Sequence, residues 1–160
     1  MTGVAEPSPN SLIDVVLLDY PVVLGTVQQE HFDAVVREFQ LIALSSPQAQ
    51  GHVPGRLLEL VATLTREHAP QRAEPERVRE QALVEGRATV DLHYAVTADV
   101  LLVVQTWARM LRDVDEFCLS DELLVLARPP AVVAMQDWVL GQFLDQLAGE
   151  PPTPWTGPLA

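Results

Sequence analysis

Residues 89–96, TVDLHYAV, alternate without a break: Val90, Leu92, Tyr94 and Val96 fall on one side, Thr89, Asp91 and His93 on the other. A period of two sends successive side chains to opposite faces of a strand, so this octapeptide predicts a β-strand with one dry face and one wet face. Such a strand needs a partner to satisfy its edge and a helical layer to cover its apolar side. The flanking sequence offers candidates for both.

On the N-terminal side, a polar leader over Met1–Ser11 is expected to fray. Ile13 to Leu24 follows, with the run VVLLDYPVVL apolar on both faces, which predicts a strand buried on two sides. Pro21 has no N–H for a ladder, so a bend or an edge is expected there. Thr26 with Gln29 reads as a capping box, and Phe32, Val35, Val36, Phe39 and Ile42 then recur on one face of a helix ending near Leu44. A loop over Ser45–His52 leads to a second helix opened by Pro54, carrying Leu57, Leu60, Val61 and Leu64, and stopped by Pro70. Gln71–Pro75 reads as a link, and Pro75–Glu85 as a peripheral third helix burying Val78, Ala82 and Leu83, with Gly86 as its stop.

On the C-terminal side, Thr97 is placed to cap a helix whose Val100, Val104, Trp107, Leu111, Val114 and Cys118 recur at spacings of four and three. Leu101, Val103, Met110 and Phe117 widen that stripe, which predicts the central core helix. Ser120–Ala127 reads either as a turn, the preferred reading, or as a short third strand. Pro129 and Pro130 precede a last helix with Val132, Met135, Val139 and Phe143 inward and Gly149 as its cap. The prediction is a helix-dominated α+β fold, in which about five helices cover a two- or three-stranded sheet. It divides into a leader (1–11), one globular domain (12–149) and a Pro-rich tail (150–160). Pro151, Pro152, Pro154 and Trp155 bias the tail to an extended form, either a partner-binding peptide or, preferred, a strap over the chain's own surface.

Composition narrows the function. The 160 residues carry a net charge of −12, ten arginines and no lysine. That field repels phosphate backbones and anionic lipid, so neither nucleic acid nor membrane is an expected partner. The longest apolar run, Val100–Val104, is far short of the ~20 residues that span a bilayer, and a secretory pattern is missing at the N-terminus. The single cysteine, Cys118, has no disulfide or CxxC companion. A reducing cytoplasmic setting is therefore expected.

Chemistry-bearing residues are dispersed. The acidic group Asp113, Asp115, Glu116, Asp121 and Glu122 suits a hard cation in residue type. Its spacing misses the calcium-loop pattern, because Cys118 stands at the glycine position and Leu124 at the glutamate position. Arg109 with Asp113 and Arg112 with Glu116 read instead as helical i,i+4 pairs. The histidines, His31, His52, His68 and His93, lack the spacing that puts two imidazoles on one helix face. His31 and His93 with Asp113, Asp115 and Glu116 remain the metal candidates for a site assembled by folding. Cys118 lies on an apolar stripe, where packing rather than nucleophilic chemistry is expected. GxSxG, GxGxxG and P-loop patterns do not occur, and no cofactor is implied.

Two stretches, Glu30–Leu44 (EHFDAVVREFQLIAL) and Asp115–Trp155 (DEFCLSDELLVLARPPAVVAMQDWVLGQFLDQLAGEPPTPW), resemble a group of small actinobacterial proteins encoded near partner-switching components, the anti-sigma kinases and their antagonists. The resemblance implies a signalling context and assigns no catalytic residue. It does not extend to the partners themselves: the only asparagine, Asn10, lies outside any helix that would hold nucleotide, and the serine turn of the antagonists is missing. The expected function is a non-enzymatic regulatory or adaptor domain that binds another protein, with a second copy of the chain as one candidate partner. The alternative is a small-molecule or metal site, or an enzyme, built from residues distant in sequence.

Overall fold

The computed structural model describes residues 11–45, 53–120 and 124–160. In chain order the elements are β1 (Ile13–Pro21), α1 (Val22–Ser45), α2 (Val53–Glu67), α3 (Ala69–Val84), β2 (Thr89–Val96), α4 (Val100–Leu119) and α5 (Pro130–Leu147). β2 occupies the alternating octapeptide, and Val90, Leu92 and Val96 are buried while Asp91 and His93 are exposed. It pairs antiparallel with β1, and Val15 faces Tyr94 and Leu17 faces Leu92. Among the described residues these are the two strands of a helix-dominated α+β fold, and residues 124–129 between α4 and α5 form no strand.

β1 ends before the expected Leu24. Leu18 and Asp19 stand opposite Asp91 alone, a bulge with Asp19 at φ 56° and its N–H on the Asp91 carboxylate at 2.9 Å. A short polar side chain tolerates that left-handed backbone better than most. Beyond Pro21 the chain turns into α1, and the Val22 N–H donates to Ala88 at 3.1 Å. Val22 and Leu24 are therefore buried in the first helical turn, where tertiary packing outweighs their strand preference. Thr26 then lies inside the helix rather than at its cap, donating to the Val22 carbonyl. Gly25 is required there: a Cβ would stand 2.5 Å from the Tyr20 hydroxyl oxygen and 2.6 Å from its ring.

The prolines before β2 also act differently from expectation. Pro70 does not end α2; it stands in the first turn of α3, where a missing N–H is harmless. The expected link 71–75 is helical, with Pro75 buried inside α3. Leu83, expected to be buried, is exposed, whereas Ala82 is buried. Gly86, at φ 68°, closes the helix by the double bond Gly86 N–H to Leu83 and Arg87 N–H to Ala82. Thr97 does not cap α4: Asp99 holds the N-cap position without a side-chain bond, and the Thr97 hydroxyl donates to the Asp99 carboxylate. The leader (residues 1–10), loop residues 46–52, and Asp121 and Glu122 lie outside the described residues, and so do the expectations that concern them.

The buried residues form two cores. One joins the inner face of the sheet to the start of α1, to α3 and to α5, through Val15, Leu17, Leu92, Val132 and Met135. The other joins the second half of α1 to α2 and α4, through Val35, Phe39, Leu57, Val114 and Cys118. α5 is tied to the free edge of β1 by one glutamine. Gln146, buried on α5, accepts the Val16 N–H at 2.8 Å and donates to the Val16 carbonyl at 2.7 Å, as a neighbouring strand would.

The tail packs on its own domain. The Trp155 N–H continues along the β1 edge to the Leu18 carbonyl at 3.0 Å, its ring meets Trp138 edge-on at 5.5 Å, and Gln142 holds Thr153 through two bonds. Pro151, Pro152 and Pro154 are exposed on the outside of this strap. Gln146→Leu strands both polar groups of Val16, so we expect a loss of about 2 kcal/mol in urea unfolding. Thr153→Ala, at the rim, is expected to cost less than about 1 kcal/mol.

Candidate functional site

Between the two cores lies a cavity of about 760 Å³ that is open to solvent. Its apolar wall takes Leu17, Tyr94 and Val96 from the sheet, Val104 and Trp107 from α4, and Phe143 from α5. Phe32 and Val36 of α1 complete it. The first half of α4 is consequently not the central core helix its stripe predicts. Val103, Val104 and Trp107 are half-buried and border the cavity, while full burial is confined to Val100 and to Met110, Leu111, Val114 and Cys118 further along. Edge-on aromatic pairs stiffen the wall, Phe32 on Trp107 at 5.0 Å and Tyr94 on Phe143 at 5.5 Å between ring centres.

Polar groups meet this apolar wall where α1 and α3 approach the sheet. Tyr20 and Tyr94, the chain's two tyrosines, border both the large cavity and a smaller one of about 120 Å³ shared with Arg72, Glu76 and Arg79. Removal of water pushes the Tyr94 hydroxyl far above the usual phenol range, the neighbouring Tyr20 adding to the effect. Burial raises Tyr20 as well, partly offset by Arg79. Both phenols are thus held as neutral donors. Gln71, on α3, also borders the large cavity, and its side-chain oxygen is buried without a hydrogen-bond partner. Pro75 adds to the local polarity, because it lacks the N–H that the Gln71 carbonyl would otherwise accept in the helix.

Three of the four arginines that border the cavity are already engaged: Arg72 with Glu76 at 2.6 Å, Arg112 with Asp137 at 3.5 Å, and Arg128 with Asp115 at 2.7 Å. The last pair is almost wholly sheltered, and the Asp115 carboxylate also accepts the Arg128 backbone N–H. It fixes the connection between α4 and α5. Arg112 reaches across to α5 instead of to Glu116 as its helical spacing predicts.

The metal candidates from the sequence are not brought together. His93 lies on the wet face of the sheet against Asp14 at 3.0 Å. His31 meets the Leu126 carbonyl at 2.6 Å, and it shares with Asp115 only a void of about 10 Å³, roughly one water. Asp113 and Glu116 stand elsewhere on α4, and among the described residues no group of three His, Cys, Asp or Glu side chains is arranged for a metal ion. Cys118 is buried, and burial raises its thiol, with Asp115 and Glu38 adding to the shift. Among the described residues no helix is long and apolar enough to cross a membrane. No protein-family model, curated protein or solved structure matches the chain.

The tyrosines give a pH signature. A phenol whose folded pKa is raised contributes stability that is complete below the unfolded value of about 10 and is lost as pH climbs toward the folded value. Lysine does not occur, so the tyrosines dominate titration above that point. We expect tyrosinate absorbance to appear above pH ~10 together with loss of the near-ultraviolet dichroism, and the double variant Tyr20→Phe/Tyr94→Phe to keep that dichroism to higher pH.

Proposed function

We propose that this chain is a binding domain for a small, largely apolar molecule that fills the cavity between the sheet, α1, α4 and α5. The observation that carries this reading is the cavity itself. Its volume of about 760 Å³ falls within the roughly 300–1,000 Å³ typical of small-molecule sites. Apolar side chains from the sheet, α1, α4 and α5 share the wall with polar groups such as Gln28, Gln71, Arg72 and Gln136, and such a mixture supplies both affinity and orientation. Weakly held water in such a space is displaced favourably by apolar groups. Three of the arginines that border it are ion-paired, to Glu76, Asp137 and Asp115, and burial holds the two tyrosines neutral.

A second reading, a protein-binding adaptor in a signalling setting, is supported by exposed leucines at one end of the molecule. Leu41 and Leu44 end α1, and Leu124 and Leu126 lie beside that helix because Glu38 accepts the N–H groups of Leu124 and Val125. Neighbouring exposed apolar groups of this kind mark contact surfaces more often than isolated ones do.

Ala108, on α4, borders the cavity, so Ala108→Phe adds a ring to the open space. The fluorescent probe N-phenyl-1-naphthylamine is expected to bind the native chain at one saturable site. Ala108→Phe should abolish that site and raise the melting temperature. Probe fluorescence that fails to saturate, or that is identical in the two proteins, contradicts the reading.

A further inference from the structure

The smaller cavity of about 120 Å³ is bordered by Tyr20 and Tyr94 from the sheet and by Arg72, Glu76 and Arg79 from α3. Both tyrosines also line the large cavity, so the phenols stand where the two spaces adjoin. Among the described residues neither hydroxyl makes a hydrogen bond, although Tyr20 is only 9% exposed. Neither is sealed off, since the one wholly enclosed side-chain polar atom without a partner is the Gln71 oxygen. Gly25 makes the placement of Tyr20 possible, because a Cβ there would collide with the hydroxyl. Two sheltered donors without partners call for an acceptor, and such groups in folded proteins are ordinarily satisfied. We infer, resting on the binding role proposed above, that the ligand is an apolar monocarboxylic acid whose carboxylate enters the smaller cavity, paired with Arg79 and accepting from Tyr20 and Tyr94.

Two guanidiniums and one carboxylate border the smaller cavity, which leaves it one positive charge for a monoanion to balance. Arg72 holds Glu76 at 2.6 Å, whereas the half-buried Arg79 makes no ion pair among the described residues. The charge of Arg79 acts on both phenols, opposing the effect of burial, so guanidinium and hydroxyls share one neighbourhood. Burial still prevails and keeps the hydroxyls protonated, as donation to a carboxylate requires. Hydrogen bonds to an ionised acceptor are roughly twice as strong as neutral ones, so the same phenols favour a carboxylate over an alcohol. On the large cavity the remaining charges are arranged differently. Arg112 and Arg128 are paired with Asp137 and Asp115. Asp33 and Arg37 are exposed and four residues apart on α1, where their opposite charges offset each other in water. His68 is half-buried between α2 and α3. The charges felt at the two phenols come from α3 alone, and among them Arg79 is the cation that Glu76 does not hold.

Displacement of N-phenyl-1-naphthylamine by decanoate, decanol and decylammonium at pH 7 tests this in the full chain. Decanoate is expected to bind about tenfold more tightly than decanol, with decylammonium weakest. The quantity to follow in variants is the ratio of decanoate to decanol affinity, in which any general damage to the cavity cancels. Arg79→Gln should bring that ratio to about one, Arg79→Lys should keep most of it, and Tyr20→Phe/Tyr94→Phe should lower it several-fold. Arg37→Gln, on the exposed face of α1, should leave it unchanged. Decanol or decylammonium binding as tightly as decanoate in the native chain overturns the inference and leaves the apolar site standing. So does a ratio that survives Arg79→Gln or the double tyrosine variant, or that falls equally in Arg37→Gln. Displacement by none of the three, with no saturable probe site, removes the binding role itself.

Discussion

Everything in this structure follows from the narrowness of its sheet. Two strands expose an apolar face that is marginal alone and must be covered, yet five helices have more apolar surface than two strands can receive. The helices therefore divide their burial. α3 and α5 close on the sheet, and α2 with the ends of α1 and α4 close on one another. α1 and α4 take part in both cores, and the space they bridge is not filled by side chains. The cavity is thus a consequence of the architecture, lined on one side by the strand face and on the other by the helical core.

A sheet this small has no inner strands, and its edges need explicit treatment. At β1 the chain answers with side-chain and tail groups: the Gln146 amide imitates one strand residue and the Trp155 backbone N–H adds another contact. The buried Asp115–Arg128 pair plays a comparable part at the other end, fixing how α5 leaves α4. One device holds α5 against the sheet and the other ties its approach to α4, and together they set the width of the cavity between Phe143 and α4. Binding and stability are coupled through the same elements, because an occupant would join two cores that otherwise touch only at their margins.

The fold was largely legible because its period-two and period-3.6 patterns are clean. TVDLHYAV specified β2 residue by residue, and α5 was fixed by Pro130 at one end and Gly149 at the other. Pro21 marks the bend expected of it, since β1 ends there and α1 begins. Two other prolines were misread: Pro70 reads as a helix stop but stands in the first turn of α3, and Pro75 reads as a helix start but lies within one, since helical φ is compatible with proline and only tertiary packing decides the remainder. The site was not legible. A stripe such as Val100, Val104, Trp107 and Leu111 announces that a face is apolar, without saying whether protein or a ligand covers it. Gln71 carried no signal at all, being one polar residue in a polar stretch. The residues singled out for chemistry, His31, His93 and Asp115, were paired off by folding with a backbone carbonyl, an aspartate and an arginine.

One continuous, fillable space separates the sheet from the helical core. Methyl NMR of the native chain under xenon pressure tests this directly, because xenon enters apolar cavities without needing a polar anchor. The methyl resonances of Leu17 and Val96 on the sheet should shift together with those of Val36, Val104 and Leu140 on the helices, along one saturation curve, while Leu57 and Val132 in the two packed cores stay fixed. Uniform small shifts across all these methyls, or none, would mean that the helices close on the sheet in solution and that the chain has no interior site to offer.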